Sequence, residues 1–230
     1  MRAGGNQGLP SGTSHTGAGP ARPPGHTRGP TVPPPPWAPT SRDARLAKGE
    51  RTRRSVVEAL VELIDEGETH PTTRQAAHRA DVSVRLVYHH FGSVRGLLLA
   101  AVTLQSERHR DLLFAIPPRG SPTLRIKALC RQRRLYFEEI TPVYRVAYAR
   151  AFAEDGLGEL LANDRTVLRG QLARTLAPEL GSRGDASPEL LDALEQITGW
   201  DAWRALRDTR DHSAPAAERV MAFTAGCLLG

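Results

Sequence analysis

The side chains best suited to chemistry are concentrated in residues 72–98, in the stretch TTRQAAHRADVSVRLVYHHFGSVRGLL. Its threonine, arginine, tyrosine and histidine side chains are types that hydrogen-bond phosphates and base edges, so they favour binding to nucleic acid. A catalytic set is harder to find. Ser106, His109 and Asp111 lie close together in the sequence, but no nucleophile elbow, phosphate loop or GxGxxG motif accompanies them. We therefore predict that the chain is not an enzyme.

Two short helices must position these side chains. Thr72 or Thr73 is suited to cap the first helix, and Ser83 to cap a second helix that runs to about His90. Between them the chain must turn sharply at Asp81, where Asp tolerates the left-handed backbone that Gly prefers. Small and apolar residues can hold the two helices together: Ala76, Ala77, Ala80, Val82, Val87 and Phe91. The pattern predicts a helix-turn-helix, whose second helix enters the major groove of DNA.

These spacings resemble the DNA-binding domain of tetracycline-repressor-like (TetR) regulators. That family shows a Thr-capped helix, an Ala-x-x-Ala-Gly-Val-Ser turn and a Tyr-x-x-Phe-x-[Ser/Asn]-Lys-x-x-Leu exit. The matching positions, within about residues 50–100, are Thr72, Ala77, Ala80, Val82, Ser83, Tyr88, Phe91, Ser93 and Leu97. The resemblance implies a ligand-responsive regulator, usually a repressor, that binds a palindromic double-stranded DNA operator as a homodimer. The alternative is a low-specificity DNA-binding or interaction protein that has lost ligand control.

The resemblance also implies which side chains touch DNA. The expected contacts are Thr72, Thr73, Arg74, Ser83, Arg85, Leu86, Tyr88, His89, His90 and Arg95. Arg85 is the candidate for a guanine contact, whereas Tyr88 and His90 resemble residues that bond phosphates. Tyr88 could instead pack between helices, and His90 could fill a gap. Arg79 is better explained as a solvated side chain.

Two positions depart from the family pattern. Asp81 stands where the family has Gly, which strains the backbone and places a negative charge near DNA. Val94 stands where the family has a phosphate-binding Lys, and the neighbouring Arg95 points elsewhere on its helix. Both departures bear on DNA affinity rather than on fold.

The rest of the chain is organised by its helix-breaking residues. Residues 1–44 are rich in Gly and Pro and poor in aliphatic residues, so we predict a disordered tail. Residues 45–98 form the predicted DNA-binding domain and residues 99–230 an effector-binding and dimerisation domain. Beyond Pro117 and Pro118, helices are predicted at about 122–140, 142–155, 157–177, 187–210 and 214–229. No segment alternates like a strand for more than a few residues, so the predicted fold is all-α.

Aromatic residues suggest two further sites in the second domain. Tyr136, Tyr144, Tyr148 and Phe152 could line a pocket for a small-molecule effector, or could be ordinary core. Trp200 and Trp203 share a helical face and could be core or dimer contacts, and Val220 and Phe223 belong to an apolar last helix that needs a partner. The basic run from Arg125 to Arg134 could meet an anionic ligand such as an acyl-CoA, but a solvated face explains it better.

Composition limits the remaining possibilities. The chain has 230 residues, a formal net charge of +6 and two cysteines. A basic balance fits a polyanionic partner but also fits many proteins without one. Cys130 and Cys227 show no metal spacing and are interpreted as small buried or half-buried hydrophobes, and no cofactor or metal is expected. The apolar runs are far shorter than the ~20 residues of a membrane span, so a cytoplasmic protein without a membrane partner is expected.

Overall fold

The computed structural model describes residues 41–115, 119–151 and 157–230, and the regular elements within these ranges are helical. The predicted all-α fold is confirmed. The helices are α1 Ser41–Asp65, α2 Thr73–Arg79, α3 Val84–Phe91, α4 Val94–His109, α5 Pro122–Ala151, α6 Leu157–Thr175, α7 Ala177–Ser182, α8 Ser187–Thr198, α9 Trp200–Arg204 and α10 Ala214–Leu229. None of them is both long and apolar enough to cross a membrane.

The start of α1 differs from the sequence prediction. The helix begins at Ser41, so residues 41–44 are helical although they fall in the segment predicted to be disordered. Residues 1–40 of that segment lie outside the described part of the chain. The difference has a local reason, because Ser and Asp suit the first turn of a helix and no proline lies between Pro39 and the end of α1 at Asp65.

The first four helices share one apolar core. Val56 and Leu60 of α1, Val87 of α3, and Leu97 and Leu98 of α4 are fully buried against one another's helices. Only small side chains from α2 enter this core, which lets that helix approach α1 closely. The positions of α2 and α3 are therefore fixed by α1 and α4.

Helix α5 passes through Pro142 without a break, although the sequence predicted an interruption there. A proline inside a helix removes one backbone hydrogen bond and costs ~3 kcal/mol. Phe137 and Ile140 before it, and Val143 and Tyr144 after it, are all buried in the same core. Burial on both sides of the proline offsets its cost, so the two predicted helices are one.

The stretch predicted as a single helix at 187–210 is instead divided at Gly199. Helix α8 ends at Thr198, and α9 begins at Trp200 and continues into a π-helical turn at Ala205–Thr209. Gly199 is extended, with ψ of 174°, and a side-chain carbon there would lie 2.9 Å from the carbonyl oxygen of Glu195. A larger residue here would force the backbone to shift, and the extended Gly199 separates α8 from α9.

Residues Ser41–Gly230 form one compact unit. Helix α4 crosses the predicted domain boundary between residues 98 and 99, so the two predicted domains share one continuous helix. Helices α4, α6 and α10 pack against α5, and α8 packs against α6 and α10. Helix α4, which contacts both α3 and α5, therefore connects the packed helices α5, α6 and α8 with the helix-turn-helix.

Candidate nucleic-acid interface and effector cavity

The turn between α2 and α3 has the left-handed backbone that the sequence predicted. Asp81 has a φ of 52°. Its N–H donates to the carbonyl of His78 at 3.2 Å, and the N–H of Val82 donates to the carbonyl of Ala77 at 3.0 Å. This pair of bonds is the Schellman arrangement that ends many helices, usually with Gly at the left-handed position. Asp81 therefore performs the turn at some cost in backbone strain.

Side chains cap both helices of the motif. The Thr72 hydroxyl accepts from the Gln75 N–H at 3.2 Å, and the Gln75 side chain accepts from the Thr72 N–H at 2.8 Å, forming a capping box. The Ser83 hydroxyl accepts from the Leu86 N–H at 3.2 Å. Of the two threonines considered as caps, Thr72 is the one used. Capping fixes where each helix begins and therefore which residues lie on its outer face.

Helix α3 carries five of the ten predicted DNA contacts. Arg85 and His89 are exposed, and 50% of Tyr88 is exposed, whereas Leu86 and His90 are half-buried. The opposite face of α3 buries Val87 completely. The helix therefore presents a cationic and hydrogen-bonding surface on a side fixed by its own core contact.

Residues at the start of α2 lie beside this surface. Arg74 is exposed, but Thr73 is buried and its hydroxyl lies 3.4 Å from the Tyr88 hydroxyl, to which it donates. Thr73 thus supports Tyr88, and the Thr72 hydroxyl also donates to Gln75 at 2.7 Å. Both threonines have partners within the motif in the free protein.

Several arginines near the motif are held by acids or rings. Arg79 makes a paired contact with the Glu66 carboxylate at 2.7 and 2.6 Å, and this contact lowers the pKa of Glu66. Arg53 lies over the Phe91 ring at 5.3 Å from its centroid. Arg95, one of the predicted DNA contacts, is half-buried, and its Nε has no hydrogen-bond partner among the described residues. Of these three, Arg95 remains the candidate for a DNA contact.

A cavity of about 420 Å³ lies among α5, α6, α8 and α9. Aromatic rings form part of its wall, with the centroids of Tyr148 and Trp200 4.5 Å apart and those of Tyr144 and Trp200 5.4 Å apart. Acids and arginines also line it. The described charged lining residues are Arg133, Asp164, Arg165, Asp192, Glu195 and Asp201.

The inner end of the cavity holds a buried carboxyl group. Asp164 is 8% exposed, and its Oδ2 accepts from the hydroxyls of Ser106 at 2.7 Å and Tyr136 at 2.9 Å, and also from that of Tyr144. Burial raises the pKa of Asp164, while the hydrogen bonds from Ser106 and Tyr136 oppose the rise. One oxygen thus connects three hydroxyls from α4 and α5.

A buried guanidinium lines the same cavity. Arg133 is 0% exposed, and it donates to Gln171 at 3.1 Å, to the carbonyl and hydroxyl of Thr198 at 2.9 and 2.5 Å, and to the carbonyl of Leu168 at 2.6 Å. Burial lowers the pKa of Arg133 to about 10, so the side chain keeps its charge at neutral pH. The solvated face predicted for the basic run is wrong at this residue, which joins α5, α6 and α8.

The predicted effector residues divide between the cavity wall and the core. Tyr144 and Tyr148 line the cavity. Tyr136 is buried and donates a hydrogen bond to Asp164, and it does not line the cavity. Phe152 lies outside the described residues. Asp164 was not predicted, and Arg133 was predicted only as part of a basic run with a solvated face. The signal was present, because Asp164 precedes Leu168 by one helical turn and so interrupts an apolar face.

Of the residues expected at a dimer interface, two are buried in the core of the chain and two are exposed. Trp203 is 1% exposed and Trp200 is buried, so the core explanation holds for both within this chain. On α10, by contrast, Val220 is exposed and Phe223 is 75% exposed. Cys227, one turn beyond Phe223, is exposed too, whereas Cys130 is buried, so the expectation of two buried or half-buried cysteines is wrong for Cys227.

Two contacts connect the cavity region with the helix-turn-helix. Ser106 belongs to α4, whose first turn follows α3 directly. A side-chain carbon at Gly96 would collide with the carbonyl oxygen of Phe91, so the end of α3 rests against α4 with no space between them. Near the end of α5, Arg150 donates to the carbonyl of Pro71 at 3.0 Å, beside the cap of α2. Helix α4, which bonds Asp164 through Ser106, contacts α3, and helix α5, which lines the cavity, contacts the residue before the cap of α2.

Known proteins resemble the chain in fold. No protein-family model and no curated protein matches its sequence. It is similar to the structure of a protein assigned to the TetR family of transcriptional regulators from Mesorhizobium loti, at 18% identity and a TM-score of 0.60, over 79% of this chain and 96% of the other. It is also similar to the multidrug binding protein EbrR complexed with imidazole, at 20% identity and a TM-score of 0.58, over 79% and 90% of the two chains. A TetR-family regulator from Rhodococcus sp. is similar at 18% identity and a TM-score of 0.57, over 78% and 100%. The chain therefore has a TetR-like fold.

Proposed function

We propose that the protein is a DNA-binding transcriptional regulator that reads its operator through α3. The observation that carries the proposal is the exposed face of α3, where Arg85, Tyr88 and His89 project from a helix capped at Ser83 and anchored by buried Val87. A capped helix with a polar outer face and a fixed inner face suits insertion into a major groove. The fold shared with transcriptional regulators supports the same conclusion.

Each predicted contact has a role in this proposal. Arg85, near the front of α3, makes a paired contact with guanine, worth ~1–3 kcal/mol of discrimination. Tyr88, His89 and His90 bond phosphates and set the depth of the helix in the groove. Further contacts come from Thr72, Arg74, Ser83, Leu86 and Arg95, and buried Thr73 supports Tyr88 through its hydroxyl. The phosphate contacts supply affinity, whereas Arg85 supplies sequence preference.

A homodimer presents two copies of α3 to successive major grooves. Val220 and Phe223 lie one turn apart on the outer face of α10, and an exposed phenyl ring favours a protein interface. Next to them, α8 and the π-helical turn form an apolar groove of about 450 Å³ that includes Ile197 and Leu206. A two-fold axis beside α10 would bury these surfaces and match a palindromic operator with half-sites ~34–36 Å apart.

A small-molecule effector acts through the cavity. Its binding favours a state in which α4 and α5 have shifted, and the spacing of the two α3 helices no longer matches the operator. Most regulators of the resembling family repress transcription, so we propose a repressor that the effector releases. The contacts of Ser106 and Arg150 support this route.

A second candidate function is low-specificity DNA binding or protein interaction without ligand control. Asp81 and Val94 favour it, because the first adds a negative charge beside the motif and the second replaces a phosphate-binding Lys. The two candidates differ in sequence preference rather than in affinity alone.

A gel-shift assay on the DNA upstream of the gene tests the proposal. We expect tighter binding to this DNA than to a scrambled duplex of the same composition at moderate salt. Arg85→Ala should lose about tenfold or more in affinity for the specific duplex, with a smaller loss for the scrambled one. Arg131→Ala, which removes an exposed arginine on α5, is the matched control and should change neither. Equal affinity for both duplexes would refute the specific regulator and favour the second candidate.

A further inference from the structure

We propose that the cavity takes a flat aromatic cation with N–H donors, whose charged end draws Asp164 away from Ser106 of α4. This inference rests on the proposed function, and it adds the chemical class of the effector and the bond through which it acts. Three features of the cavity carry it: its charge balance, its aromatic wall and the hydrogen bonds at its inner end.

The charge balance favours a cation. Four described lining residues are acids and two are arginines. Arg133 makes four hydrogen bonds to its own chain, chiefly to carbonyl groups, so it serves as a strut between helices. Arg165 lies 3.9 Å from Asp201, and Arg169 lies between Asp192 and Glu195. Counting Arg133, Arg165 and Arg169 against Asp164, Asp192, Glu195 and Asp201 leaves one carboxylate in excess. Among the described residues, Asp164 has no arginine in ion-pair contact.

The aromatic wall favours a flat ring. Trp200 is buried, with the ring of Tyr148 at 4.5 Å and that of Tyr144 at 5.4 Å between centroids. Cations are attracted to the faces of such rings, most strongly to tryptophan. Arg204 already lies over the Trp200 ring, 5.7 Å from its centroid, so a flat cation would gain from the rings of Tyr144 and Tyr148 as well as from Asp164. A neutral ring of the same shape would gain only the packing.

The hydrogen bonds at Asp164 make Ser106 the donor most easily displaced. Three hydroxyls share one carboxylate oxygen, which has two lone pairs. Tyr136 and Tyr144 both come from α5, whereas Ser106 comes from α4 and has a second partner, the Tyr144 hydroxyl, at 3.3 Å. When a ligand donates to Asp164, Ser106 can keep a hydrogen bond to Tyr144 while α4 moves. Gly96 and Phe91 are in close contact, so that movement reaches α3.

Calorimetric titration of the full chain, without DNA, tests the ligand class. The probes are naphthalene-2-carboxamidine, naphthalene-2-carboxamide and 2-naphthoate, which share a ring system and differ in charge. We expect the amidine to bind about tenfold more tightly than the amide, and the naphthoate to bind most weakly. Naphthoate binding as tight as the amidine, equal binding of amidine and amide, or no binding of any probe would overturn the proposal.

Two variants test the residues. Asp164→Asn should weaken amidine binding about tenfold and leave amide binding within about twofold, because only the cation needs the carboxylate. Ser106→Ala should tighten amidine binding about threefold, because it removes the competing donor, and should leave the amide unchanged. Glu107→Gln, an exposed carboxylate on α4, is the control and should change neither.

The Ser106→Ala variant distinguishes coupling between the ligand and α4 from a purely structural role of Ser106. A purely structural role for Ser106 would make its loss weaken the binding of every probe or change none, and either result overturns the coupling. If Asp164→Asn fails to fold, the wild-type probe series and Ser106→Ala still decide the matter. Failure here is distinguishable from failure of the proposed function, because the titration contains no DNA and the gel shift contains no probe.

Discussion

Replacing Asp81 with Gly should stabilise the protein. Asp81 holds a φ of 52° at the end of α2, and its hydrogen bonds fix that conformation. The left-handed backbone costs a residue with a side chain roughly 1–2 kcal/mol. Glycine avoids that cost but loses ~0.4–1 kcal/mol through the greater freedom of its unfolded chain. The expected net gain is about 0.5–1 kcal/mol, or ~1–4 °C in Tm for a folded unit of this size.

Asp81→Asn is the matched control for this prediction. Asn also tolerates the left-handed region and removes the same charge, so its Tm should stay within about 1 °C of the parent. Both variants should bind any DNA duplex about twofold more tightly, because each removes one negative charge from the turn beside the proposed DNA-binding surface. Thermal unfolding and fluorescence anisotropy measure the two effects. If Asn stabilises as much as Gly, charge rather than backbone strain is the cause and the reasoning fails.

Three further outcomes are expected. Arg133→Met should lower the free energy of unfolding by about 2–4 kcal/mol in urea titrations, because the carbonyls of Leu168 and Thr198 lose their donor; a loss below ~1 kcal/mol would contradict the strut role. Phe223→Ser should convert the proposed dimer to monomers in analytical ultracentrifugation while Leu124→Ser, at another exposed apolar residue, leaves it intact; a dimer unchanged by Phe223→Ser would exclude this face of α10. A thiol reagent at pH 8 should modify one cysteine quickly in folded Phe223→Ser monomers and two after unfolding, because burial raises the pKa of Cys130 to about 12 while Cys227 is exposed in the single chain; two fast thiols in the folded monomer would show that α5 opens.

The helix-turn-helix could be predicted from the sequence because its determinants are local. The caps at Thr72 and Ser83 act within three residues, and the turn at Asp81 is set by one backbone conformation. The inner face of α3 follows from helical spacing around Val87. Sequence reasoning therefore placed the motif to within a residue or two at each end.

The cavity could not be predicted in the same way because its determinants are distant in sequence. Ser106 and Asp164 are 58 positions apart, and Arg133 and Thr198 are 65 apart. Each looks like an ordinary polar residue until the helices pack. The continuity of α5 through Pro142 is similar, because burial on both sides of the proline outweighs a local signal that favours a break.

Selection from a random pool of DNA duplexes tests the central claim most directly, since it assumes no operator. The full-length protein is incubated with the pool at moderate salt, and bound duplexes are recovered and sequenced over several rounds. We expect enrichment of an inverted repeat whose half-site centres are ~10 base pairs apart, with a guanine in each half-site. The Arg85→Ala variant should no longer select that guanine. A bound fraction whose sequences stay as random as the starting pool would contradict the central claim.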